Sequence, residues 1–413
     1  MGISATERLH RQDSFLLNFQ AEVVAVEARA ERLELALDQS AFYVESGGQP
    51  SDQGQLGEWP LLGLREVEGV VWHGVDREAR IAPGDCLEGR VDAPRRRDHL
   101  EQHSGQHVLS AACLRAGLGD TVSFHLGREE STIDLAGAEP TRASIAAALR
   151  LANDCVLDDL PVRAHEIERS ELHRFPVRKD PGVQHDVLRL IEIEGFDWSL
   201  CGGTHARRSG EIGPIHVLGW EKNKAAWRVR FLVGHRALAY LGDVQHLLDA
   251  TARAHSIHWR AIPESMRGWR EESLALAKEV RRLRLEAGER EGERLYRAQG
   301  EGQGGLRRLR LWLPAATMDE ARALSNRFVG GGGALALVGG LEAGRAFWMA
   351  ARAEPTPIAG WRADVALRNW LGKVGGKGGG NERFAQGSGA AEAEEHLRAL
   401  DTLDLDRLGL PGD

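Results

Sequence analysis

Residues 199–213 read SLCGGTHARRSGEIG, and about a hundred residues earlier 101–110 read EQHSGQHVLS. The later stretch sets Cys201 and His205 four apart around two glycines and a threonine, and the earlier one sets His103 and His107 four apart. The earlier segment lies in PRRRDHLEQHSGQHVLSAACLRAGLG, which opens at Pro94 and is stopped by Gly117 and Gly119, the punctuation of a helix. Residues at i and i+4 of a helix leave one face one turn apart, so two imidazoles can point at one ion. The glycines of CGGTH let a tight turn aim a thiolate and an imidazole at a single point. Three imidazoles and one thiolate suit zinc by donor type. The spacing therefore predicts one Zn2+ per chain, held by His103, His107, Cys201 and His205.

Working outward from these two segments gives a multi-domain α+β chain. Upstream, FQAEVVAVEARAERLELALD (19–38) alternates apolar and polar residues as two strands do, and QSAFYVESGGQPSDQGQLG (39–57) has loop composition. With the short strands expected in GVVWHGV and CLEGRVD, residues 1–92 read as a small β-barrel. Residues 93–235 mix helices and strands without βαβα alternation, and form the α+β zinc-binding part. Residues 236–302 are helical and charged, with Leu276, Val280 and Leu283 on one face and a seam that fades after Ala287; this reads as a linker or dimerisation arm. Residues 303–413 read as a compact α/β domain containing the glycine run VGGKGGGNERFAQGSG and a final helix in AEAEEHLRAL.

A chain of 413 residues is too long for one ordinary core, which agrees with this division. Four cysteines without a CxxC pair are too sparse for a disulfide framework, so a reducing compartment is expected. No apolar run reaches the roughly 18 residues of a membrane span, and the charged N-terminus lacks a secretory core, so the expected location is the cytoplasm. A formal net charge of −8 argues against a generally basic, nucleic-acid-coating surface and leaves room only for local basic patches.

The pair HSGQH and CGGTH resembles the metal motifs of the alanyl-tRNA editing domain, shared by alanyl-tRNA synthetases and free-standing AlaX-type deacylases. AFYVESGGQPSDQG resembles the glycine-rich motif ahead of the family's zinc helix, and VGGKGGGNERFAQGSG resembles the glycine-rich segment of the DHH-associated domain. The order of the motifs is kept over nearly the whole chain. Nothing resembles an aminoacylation core, so the resemblance implies a long-form, trans-acting editing protein. Two departures stand out. HSGQH replaces a more usual HTATH and is expected to keep the ligands while changing the intervening surface; Glu382 and Arg383 stand where relatives often carry Pro-Asp.

The implied reaction is hydrolysis of the ester in tRNA(Ala) mischarged with serine, with glycine as a second candidate, and with Ala-tRNA(Ala) spared. The resemblance sets the glycine motif against the zinc pocket and makes Gln49 and Ser40 candidates for the substrate hydroxyl; Thr204 joins them or only shapes its turn. Arg95, Arg96 and Arg97 at the start of the zinc helix, and Arg207 and Arg208 beside the second motif, are candidate phosphate contacts. So are Lys373 and Lys377, with Gly378, Gly379 and Gly380 allowing close backbone approach. The main rival is a zinc-stabilised tRNA-binding module without activity, since four protein ligands are the pattern of structural zinc. A phosphoesterase lacks its Asp-His-His cluster here, and the C-terminal domain favours tRNA(Ala) over other editing substrates.

Overall fold

The computed structural model of the chain describes residues 3–178, 182, 186–299, 305–389 and 399–410. The chain is α+β and divides into two compact units, Met1–His255 and Ser256–Asp413. Among the described residues no helix is long and apolar enough to cross a membrane.

In the first unit, the alternating residues of 19–38 form antiparallel strands Asn18–Ala28 and Arg32–Leu37 at the centre of a seven-stranded sheet. The edges of this sheet, Trp59–Pro60 and Gly63–Val67, are consecutive in the chain. The amides between them donate to opposite sides, Leu61 to Gly54 O (2.9 Å) and Leu62 to Gly74 O (2.7 Å), so one dipeptide draws the two edges together. Phe19, Val23, Leu35, Leu37, Phe42, Leu56 and Val75 fill the interior.

The stretch 41–53 is irregular, buried at 41–44, 49 and 52, and it contains a two-residue reversal. Gly47 and Gly48 both take positive φ (58° and 87°), and Ser46 and Gln49 exchange backbone hydrogen bonds across them. Only glycine adopts two such conformations in succession without strain. At Gly48 a Cβ would also stand 2.6 Å from Phe124 O, so the turn is seated directly on the neighbouring strand.

The ligand helix, Ala93–Arg115, begins at an Asp92 N-cap that accepts from Arg95 N (3.0 Å), with proline in its first turn. From His99 to Cys113 every residue is buried, so this helix is interior on all sides although half of its residues there are polar. It packs with helix Arg142–Leu157, capped by Thr141, against a four-stranded antiparallel sheet. That sheet runs Asp120–Leu126, Ser131–Ala136, Ala226–Val233, Ile215–Asn223. A three-stranded sheet, Val162–Glu168, Val187–Ile193 and Asp197–Leu200, delivers the chain to Cys201. Helix Gly234–Ala254 closes the unit.

The second unit is a five-stranded sheet ordered Arg307–Leu313, Ala334–Glu342, Arg345–Arg352, Phe384–Gly389, Gly376–Gly380. Its first pair is parallel and joined by helix Met318–Gly330; helix Ala363–Val374 and Trp348, Trp361 and Trp370 build the core on one face.

One expectation is corrected. The helical stretch expected as one arm over 236–302 falls in both units, and its second part, Ile262–Ala298, is a single 37-residue helix that packs on Met318–Gly330. The reason is the pair Gly288 and Gly292, buried in that helix, where any Cβ would collide with the backbone oxygens of Glu320 and Leu324. The apolar seam fades where the glycines take over the contact. The glycine run, expected to allow close backbone approach, is the edge strand Gly376–Gly380, paired with Phe384–Gly389. Gly376 and Gly378 face Leu371 and Leu367 of the underlying helix too closely for a side chain. The final helix expected in 391–400 lies, but for its last two residues, outside the described residues.

Candidate metal centre

The helix and the CGGTH turn bring His103, His107, Cys201 and His205 together, with one potential ligand atom from each inside a 4.8 Å span. The one-turn spacing stacks the His103 and His107 rings at 5.2 Å, and His205 stands 4.7 and 4.8 Å from them. Cys201 Sγ lies 3.3 Å from His103 Nε2 and accepts from Gly203 N at 3.4 Å. Gly203 has no room for a side chain, because a Cβ there would overlap the His103 ring. Gly202 has open space around it. One glycine of the pair thus permits the approach of the two segments, and the other only the turn.

Each imidazole has a distinct partner behind it. Gln49 Oε1 accepts from Thr204 N (3.2 Å) and lies 2.6 Å from His103 Nδ1, while Gln49 Nε2 donates to Thr204 Oγ1 (2.9 Å). An amide oxygen is only an acceptor, so His103 Nδ1 must carry the proton, which leaves its Nε2 lone pair turned to the cluster. Ser104 Oγ accepts from Ala206 N (2.9 Å) and lies 3.4 Å from His205 Nδ1. The Asp197 carboxylate stands 3.7 Å from His107 Nδ1 and is itself held by Arg178 Nε (2.5 Å) and Ser199 Oγ (2.7 Å). Such outer partners orient ligands and set their tautomers.

The donor set fits a cation such as zinc. His107 Nδ1 and Nε2 and His205 Nε2 are buried without a hydrogen-bond partner, and unsatisfied buried groups of this kind cost about 1–3 kcal/mol each unless something fills their place. Burial opposes ionisation of the Cys201 thiol. Even so, the imidazoles of His103, His205 and His107 around the sulfur hold its pKa well below the ordinary range, which favours the thiolate.

The other residues singled out by sequence are spread more widely. Gln49 and Thr204 are at the cluster, bonded to each other and fully buried. Ser40 is buried inside the seven-stranded unit, 2.8 Å from His73 Nε2, and accepts from Phe42 N (3.2 Å). Arg96 departs from the expected phosphate-facing trio. Its guanidinium is buried, paired with Asp52 and donating to Ala41 O and Ser14 O (both 2.7 Å), and it ties the ligand helix to the N-terminal segment. Arg95 donates to Ser51 O (3.0 Å), and the exposed Arg97 pairs with Glu101 (3.0 Å). Arg207 pairs with Asp13 (2.8 Å) over the Phe15 ring, and Arg208 with Asp159 (2.6 Å). Lys373 and Lys377, with Gly378, Gly379 and Gly380, lie exposed in the second unit.

The expectation that HSGQH alters a surface is corrected: Ser104 and Gly105 are interior, and a Cβ on Gly105 would stand 2.6 Å from Val233. Sequence reasoning missed Asp197, Ser104 and Arg189. Arg189 donates to Cys201 O (3.1 Å) and Gly203 O (2.8 Å), holding the ligand turn from the adjacent strand. The only sequence signal was position, an acid four residues before Cys201 and a serine beside His103.

Residues 188–230 match the family described as Threonyl and Alanyl tRNA synthetase second additional domain. The chain is 32% identical to an alanine–tRNA ligase of Korarchaeum cryptofilum over 400 residues, 93% of this chain and 43% of that protein. It is 28% identical to the alanyl-tRNA editing protein AlaX-L of Pyrococcus horikoshii over 403 residues, 94% of this chain and 96% of that one. The C-Ala domain of Aquifex aeolicus alanyl-tRNA synthetase covers 22% of this chain at 18% identity and a TM-score of 0.20, too distant to bear on the fold. The chain thus spans less than half the length of the ligases it matches and nearly all of the editing protein. From end to end, the chain is similar to an AlaX-type alanyl-tRNA editing protein.

Proposed function

We propose that the chain is an aminoacyl-tRNA deacylase of the cytoplasm, which hydrolyses the ester of Ser-tRNA(Ala), and of Gly-tRNA(Ala) as a second substrate, while sparing Ala-tRNA(Ala). The observation that carries this reading is the meeting of three imidazoles and a thiolate in which both His107 nitrogens and His205 Nε2 are buried without a hydrogen-bond partner. His103, His107, Cys201 and His205 would hold one Zn2+ per chain, which when bound supplies a positive centre able to polarise a carbonyl or a water. An aminoacyl ester is already activated, so a positioned water suffices and no covalent intermediate is needed.

The chain's own residues orient and select. Gln49 fixes the His103 tautomer and carries the Thr204 hydroxyl with it. A site that hydrogen-bonds the serine hydroxyl can require it, whereas an apolar pocket hardly distinguishes serine from alanine. Ser40 is held by His73 and Phe42 N, whereas Gln49 and Thr204 stand at the cluster, so the recognition of that hydroxyl is assigned to Gln49 and Thr204. Arg95, Arg97, Arg207 and Arg208 would meet the acceptor stem, and Lys373, Lys377 and the bare edge strand Gly376–Gly380 would meet tRNA from the second unit. The exposed Leu276, Val280 and Leu283 offer a face for a homodimer.

A tRNA-binding module without activity is the second reading, favoured by a ligand count that fills a tetrahedral site. Incubating zinc-loaded protein with Ser-, Gly- and Ala-tRNA(Ala), beside a Cys201→Ala/His205→Ala variant, decides between them. Loss of serine with alanine spared and an inert variant is the expected result. Stoichiometric zinc without any cleavage would instead establish the second reading.

A further inference from the structure

Beside the cluster, and sharing His205 with it, is a cavity of about 110 Å3 lined by the N-terminal residues Arg11, Gln12, Asp13 and Ser14 and by Arg163, Arg189 and Arg207. Its size suits a group no larger than a few water molecules. Its charge is one-sided: four guanidinium groups face it with one carboxylate, Asp13. Asp13 is engaged by Arg207 (2.8 Å), and Arg163 is matched behind the cavity by Glu194 (2.6 Å) and Glu192 (3.7 Å). Arg11 and Arg189 have no carboxylate partner among the described residues. Arg189 donates only to the carbonyls of Cys201 and Gly203; the Cys201 thiolate and Glu166 favour its charge, and Arg11 repels it. A small, partly enclosed cavity lined by four arginines, one of which, Arg11, has no carboxylate partner among the described residues, takes an anion, and two guanidinium forks match a phosphate in geometry as well as charge.

Resting on the reading that an RNA-borne ester is cleaved at the cluster, we infer that Arg11 and Arg189 bind the last phosphodiester of the RNA strand, the one 5′ to the nucleotide that carries the ester. His205 belongs to both the cluster and the cavity, so the anion bound there must be the one covalently nearest the reacting ester. Arg189 couples the two places, since the same guanidinium braces the ligand turn.

The test uses the full chain and two deacylated RNA hairpins with single-stranded 3′ ends, one natural and one with a neutral methylphosphonate at the last linkage. Binding is followed by fluorescence anisotropy across a salt series. The natural hairpin should bind the wild type about tenfold tighter than the methylphosphonate, as for a charge-assisted contact. Arg11→Ala should bring the two to near-equal affinity and lower the salt slope for the natural hairpin by about one. Arg11 is exposed, so this variant does not burden the fold; Arg189→Lys, which keeps the charge but not the fork, should give an intermediate ratio. A wild type that does not distinguish the hairpins, or an Arg11→Ala variant with the wild-type ratio, overturns the inference. Because the RNAs carry no ester, a protein that discriminates them but cleaves nothing refutes the deacylase reading and leaves the phosphate site standing.

Discussion

Gln49 and His103, 54 residues apart in sequence, meet at 2.6 Å between amide oxygen and imidazole Nδ1. The contact depends on the Gly47–Gly48 reversal, which turns Gln49 inward, and it leaves the opposite ring nitrogen free to act as a ligand. Gln49→Ala should lower zinc affinity about 10- to 100-fold, the usual effect of deleting such a partner, as measured by chelator competition. Gln49→Glu still accepts from Nδ1 but cannot donate to Thr204. It should retain zinc and lose preference for the serine ester; equal zinc loss in both variants would argue against the tautomer role.

Asp197 stands 3.7 Å from His107 Nδ1 and neutralises Arg178, and its side chain is almost wholly buried. Asp197→Asn should weaken zinc binding and destabilise the unit by about 1–3 kcal/mol, since the half-buried Arg178 loses its charged partner. Denaturant unfolding of the metal-free variant isolates the second effect; an unchanged midpoint would show that Arg178 is compensated elsewhere.

The two glycines of CGGTH should respond differently. Gly203→Ala forces the turn away from His103 and should abolish stoichiometric zinc, whereas Gly202→Ala meets nothing and should change stability by no more than about 0.5 kcal/mol. Metal content and thermal unfolding of the two variants, compared directly, check this.

His73 gives a pH signature remote from the ligands. Burial lowers its pKa from 6.5 to about 4, and its nitrogens lie within hydrogen-bond distance of Ser40 Oγ and Leu35 O. Between those values the unfolded chain binds the proton and the folded chain does not, so stability is fully present above pH 6.5 and falls as pH drops toward 4. The group's share of that loss is about 3 kcal/mol. His73→Gln should reduce the difference in unfolding free energy between pH 7 and pH 4 by about this amount; His99, lowered to a similar value, keeps some acid sensitivity in the variant.

The His103, His107, Cys201 and His205 cluster was legible because two short spacings carry it, each a local property of a helix or a turn. Its supports were not, because Gln49 reaches Thr204 across 155 positions and Ser104 reaches Ala206 across 102. Only the folded chain reports such pairings. Arg96 illustrates the converse error: between Arg95 and Arg97 it has the composition of a solvated charge run, yet helical geometry turns the middle residue of three toward Asp52. Strands of the first unit were readable from alternation, while the glycine edge strand gave no pattern, since glycines show neither an apolar nor a polar face.

The notch at Gly288 and Gly292 has a mechanical meaning. It receives the backbone at Glu320 and Leu324, two positions separated by the same single turn. Axial sliding of either helix would bring a side chain into a space sized for none, so the pair acts as a detent. Motion of the 37-residue helix relative to its neighbour is thereby restricted to bending and rocking, and a change in its length would be felt at its far end and not absorbed at this contact.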